Sequence, residues 1–144
     1  MESDFQAIND EITAAVKHLR LTTLDVQALA PSEANAIVDR AMRKFVIGNP
    51  RSWWLSLAVQ HETLTEPVRH ELNGLRALVP TSVERCYFVP ETGTSAYMVF
   101  DAKIDCLGGI LNECQFFEYY VIDRDYQWLL IETDHNTIVK ALSS

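Results

Sequence analysis

The chain has 144 residues, 48% hydrophobic and 22% charged, which suits one globular domain with a core of its own. Its net charge of −8 argues against the clustered basic surface that a nucleic-acid backbone requires, and no apolar run reaches the roughly 18 residues of a membrane span. The opening MESDFQAINDEI carries acids where a secretory signal has a basic start, and Cys86, Cys106 and Cys114 show no CxxC spacing, so a cytoplasmic protein with reduced, buried thiols is expected.

In chain order, Phe5, Ile8, Ile12, Ala15, Val16 and Leu19 recur at helical spacing, with Ser3 and Gln6 placed for a capping box. The stretch LTTLDVQALAP reads as a short helix or a linker. Ser32 then caps a second helix with an apolar face of Ala34, Ile37, Val38, Ala41, Met42 and Phe45, stopped by Gly48 and Pro50. In RSWWLSLAV the alternation favours a strand, which would send Trp53 and Trp54 to opposite sides. Residues 66–77 read as a helix with Pro67 near its start. His61-Glu62 and His70-Glu71 look like half-motifs of a metal site, but nine residues on one helix place the two histidines on opposite faces. Arg85 to Val89 and Ser95 to Phe100 read as a strand pair. Ile104, Leu107, Ile110, Leu111 and Cys114 mark a helix in which Gly108 and Gly109 suggest close packing against a sheet. If the strands on either side of it are parallel neighbours, they form a βαβ crossover.

The stretch from Cys114 to His135 is the richest in aromatic and β-branched residues. Phe117 to Ile122 and Tyr126 to Ile131 form a β-hairpin about Asp123-Arg124-Asp125. No glycine sits there, so a loop of three to five residues built on a type I turn is expected. The C-terminal NTIVKALSS makes one short strand or a helical turn. The whole is a single α+β domain, residues 1–144, with a helical part at 1–48 and a sheet-forming part at 52–144. It has two N-terminal helices and a mostly antiparallel sheet of four to six strands, with further helices packed mainly on one face.

No P-loop, GxSxG, Cys-His signature or metal-ligand cluster appears, and neither a cofactor nor a catalytic residue is expected. Residues 101–134 carry Asp101, Asp105, Glu113, Glu118, Asp123, Asp125, Glu132 and Asp134 against Lys103 and Arg124. Such an acidic stretch attracts basic proteins and speeds their encounter. Glu132 and His135, joined by Glu118, form the alternative: an acid–base set for a small ligand or a reaction.

ECQFFEYYVIDRDYQWLLIETDHNTI, together with SWWLSL, the LVP before a strand and YFVPE, resembles a group of small uncharacterised bacterial proteins across residues 52–138. The chain departs from that group at Asp134, where the group carries the first of two histidines. By analogy it also looks like the immunity proteins encoded beside bacterial toxins, for example in contact-dependent growth inhibition. That likeness implies a protein that binds and neutralises a basic cognate toxin such as a nuclease. Its contact residues would be Asp123, Asp125, Glu132, Asp134 and Glu91, with Trp53 or Trp54 as an aromatic anchor.

Overall fold

The computed structural model describes residues 4–48, 53, 56–64, 74–92, 97–115, 117–133 and 137–142. In chain order these form α1 (Asp4–His18), β1 (Val26–Ala28), α2 (Pro31–Phe45), β2 (His61–Leu64), α3 (Gly74–Ala77), β3 (Arg85–Pro90), β4 (Phe100–Lys103), α4 (Ile104–Glu113), β5 (Tyr119–Asp123), β6 (Trp128–Glu132) and β7 (Ile138–Leu142). The seven strands make one sheet in the order β1-β4-β3-β5-β6-β7-β2, with every pairing antiparallel. The fold is α+β, and the sheet has more strands than the four to six expected. The additions are β1 and β2, short pieces that hold the two edges. Trp53 lies in a 3₁₀ turn, and Leu57 makes only an isolated bridge to Val46, so the strand expected through SWWLSL is not formed at the described residues.

Period-two alternation of the strands feeds two apolar clusters, one on each face. Tyr119, Val121, Trp128, Leu130, Cys86, Phe88 and Ile138 face Ile8, Ile12 and Ala15 of α1, Leu75 of α3, and Ile104, Leu107, Ile110 and Leu111 of α4. On the other face, Tyr120, Ile122, Leu129, Ile131, Val89 and Val139 pack against Ala34, Val38, Ala41 and Phe45 of α2. Three helices thus cover one side and α2 the other, which is why β5 and β6 are buried along their whole length.

Local chemistry sets the element ends. Pro31 occupies the first turn of α2 with Ala30 at the N-cap, so Ser32 lies inside the helix and does not cap it. Ser3 of the expected capping box lies outside the described residues. Gly109 faces Leu19, just past the end of α1, instead of the sheet: a Cβ there would stand 3.3 Å from Leu19 Cδ1. The α4 crossover joins β4 to β5, which run parallel to each other with β3 between them, so no adjacent parallel pair forms. At the β5–β6 turn, Tyr126 N–H donates to Asp123 O at 3.0 Å and Gln127 N–H donates to the Asp123 carboxylate at 2.9 Å. Tyr126 adopts φ 57, in the left-handed region, and four residues, 124–127, separate the two strands, within the three to five expected.

Candidate functional site

The register places Pro90, Tyr119, Glu132, Ile138 and Leu64 in one row across β3, β5, β6, β7 and β2. Just beyond this row the β3–β5 ladder extends by one bond, from Glu91 N–H to Glu118 O at 2.8 Å. That bond holds the two glutamates side by side at one end of the sheet. Their carboxylates converge on the phenol of Tyr120, whose O–H donates to Glu91 Oε2 at 2.8 Å, while Glu118 Oε1 lies 3.5 Å away.

Beneath them Trp53 stacks on the Tyr120 ring, with centroids 4.1 Å apart and planes 11° from parallel. Trp53 donates its backbone N–H towards Tyr120 Oη at 3.5 Å and its indole Nε1–H to Tyr97 Oη at 3.4 Å. Trp53 is fully buried, whereas Glu91, Tyr97 and Glu118 are half-buried. The indole is therefore a floor, and the rim above it is one tyrosine edge and two carboxylates. Burial pushes the Tyr120 hydroxyl far above its ordinary pKa, and the charge and hydrogen bond of Glu91 and the charge of Glu118 push the same way. Tyr97 is raised mainly by burial, with Glu91 adding to it. Both phenols stay protonated at neutral pH. The arrangement concentrates negative charge beside an aromatic edge, which suits a cationic group.

The residues expected on a binding surface fall into several places. Glu91 and Trp53, 38 positions apart in sequence, meet through Tyr120. Trp53 and Glu132 are completely buried and Asp123 is only 9% exposed, so none of the three is a surface contact residue. The sequence hid these burials because each follows from how the strands and the Trp53 turn pack, which residue type does not announce. Asp123 serves its own turn by accepting from Gln127, and Asp125 is exposed at the tip. The tip and the Glu91–Glu118 rim occupy opposite ends of the hairpin, roughly 15 Å apart at ~3.3 Å per residue, so they do not make one site. Trp54, Asp134 and His135 lie outside the described residues, as do His70 and Glu71. Glu118 shares the face of Tyr120 while Glu132 pairs with Tyr119 on the opposite face, so these two members of the expected acid–base set do not come together. Tyr97 and Tyr120 were missed as site residues; the only signal was the YY pair, of which alternation must send one to each face.

The acidic stretch is also less bare than its sequence suggests. Asp101 pairs with Arg85 at 3.1 Å and Arg124 at 3.6 Å, Asp105 with Arg76 at 3.4 Å, and Glu113 with His18 at 2.9 Å. Among the described residues no group of His, Cys, Asp or Glu is arranged to hold a metal ion, and no helix is long and apolar enough to cross a membrane. None of the three cysteines is in a disulfide; Cys86 is buried and the other two are partly so. Comparisons with curated proteins and with solved structures returned no match. A family model does match, over residues 4–143, and the chain belongs to that family, a family of unknown function (DUF6756).

Proposed function

We propose that this protein is an intracellular immunity or inhibitor protein that binds and neutralises a basic toxin, such as a nuclease, through the acidic–aromatic rim at the end of its sheet. The observation that carries the reading is the convergence of Glu91 and Glu118 on one buried phenol, with Tyr97 at the surface beside them. A protonated Lys or Arg of a partner gains there from two carboxylates and a ring edge. The Trp53–Tyr120 stack holds the site rigid, so little side-chain entropy is lost on binding. The net charge of −8 adds long-range attraction for a basic partner.

The test is copurification with the product of the adjacent gene, followed by measuring the association rate against salt. The rate falls steeply as salt rises if charge steers the encounter, and a rate indifferent to salt removes the steering argument. Glu91→Gln and Tyr97→Ala each weaken the complex, by about ten-fold for a desolvated contact. Wild-type affinity in both variants would move the interface elsewhere.

A further inference from the structure

A second surface of opposite charge lies where α2 passes the tip of the β5–β6 hairpin. The Arg40 guanidinium sits over the Tyr126 ring, 4.4 Å from its centroid, and no carboxylate among the described residues pairs with it. The Tyr126 ring lies 6.4 Å from that of Tyr87, and Arg124 stands over Tyr87 at 5.6 Å. Two arginines therefore cap the ends of a tyrosine pair. Arg40 is exposed and Arg124 is 44% exposed. Lys44, four residues after Arg40 and thus on the same flank of α2, is exposed too, and Arg43 lies one step round the helix, paired with Asp39. The acids near these cations include Asp39, paired with Arg43, Asp101, shared between Arg85 and Arg124, and Asp125 at the tip.

We infer that this arginine–tyrosine ladder is a docking surface for a carboxylate-bearing segment of a partner protein. A guanidinium held over a ring still has N–H donors for a two-pronged grip on a carboxylate. Arginine is also among the residues that concentrate binding energy in protein interfaces, and the buried Tyr126 ring serves as the support beneath Arg40, not as a contact. A carboxylate segment is favoured over a nucleic-acid backbone because the patch holds only a few cations within a molecule of net charge −8. The inference is independent of the inhibitor reading, since this surface lies at the other end of the hairpin and carries the opposite charge.

The experiment titrates the full chain with a fluorescein-labelled oligoglutamate peptide and, separately, with a short labelled duplex DNA. Saturable peptide binding is expected, about ten-fold or more weaker in Arg40→Gln. Arg40→Lys recovers only part of it, because lysine keeps the charge and loses the flat fork. Arg124→Gln, at the far end of the ladder, provides a second variant should Arg40→Gln fold poorly. Absence of saturable peptide binding, or equal binding by wild type, Arg40→Gln and Arg124→Gln, overturns the proposal. So does tighter binding of the DNA with the same dependence on Arg40, which would make the surface a phosphate site.

Discussion

Cys86 and Tyr126 show how single side chains take on properties that their type does not announce. Cys86 lies at 0% exposure on the helix-covered face of β3, and burial pushes its thiol up to about 12. Raising the folded-state pKa of an acid means that the native protein keeps a proton that the unfolded chain releases. Its contribution is therefore complete below about pH 9 and is lost as pH rises towards about 12, at no more than roughly 1.4 kcal/mol per pH unit. Urea unfolding at rising alkaline pH should show wild type losing stability faster than Cys86→Ala; parallel losses would show that the thiol does not titrate on unfolding. Tyr126 sets backbone strain against packing. At φ 57 a side chain costs about 1 kcal/mol relative to glycine, yet the ring is 95% buried and carries Arg40. Tyr126→Gly and Tyr126→Ala are both expected to destabilise the protein, the alanine variant by about 1 kcal/mol more because it keeps the strain without the ring. Equal midpoints would mean that the turn relaxes out of the left-handed region.

Among the elements, α4 offers the clearest test of packing. Leu107 and Ile110 are fully buried against the sheet, and truncating either to alanine should cost about 2–5 kcal/mol in chemical denaturation. Gly109 should behave in the opposite way. An added methyl meets only the outer end of the half-buried Leu19 side chain, which can shift, so Gly109→Ala should stabilise by up to about 1 kcal/mol through helix propensity. A lowered melting temperature would show that Leu19 cannot move. This helix, β3, the β5–β6 hairpin and its glycine-free turn were legible because each carries a sustained period of apolar residues or a dense aromatic run. The edge strands were not. VQA and HETL are too short to display a period, and their partners lie over 70 residues away at Phe100–Ala102 and Ile138–Ala141. Half of the rim was legible for a related reason. Glu91 and Trp53 stood out by type, but only the stack on Tyr120 decides that the indole is a floor and that Tyr97 meets solvent.

For the whole molecule, burial of both sheet faces explains why so many conspicuous residues are interior, and why binding is expected at the sheet's ends and edges. Removing the Tyr120 hydroxyl checks this. Tyr120→Phe deletes the donor to Glu91 while keeping the ring on Trp53, so a loss of about 1–2 kcal/mol is expected without change of fold. Unchanged stability would show that the phenol does not hold the rim. The strand order carries a further consequence. β1 and β2 flank α2 in the chain, yet they stand at opposite edges of the sheet, so this one stretch of backbone must span its breadth, six strand spacings or roughly 29 Å. The central β3, β5 and β6 come from the C-terminal half and can pair before the N-terminal segment is placed, whereas both rims wait for slow, long-range loop closure. Amide hydrogens should therefore gain protection from the middle outwards during refolding, and the N-terminal stretch should act as a latch that closes last.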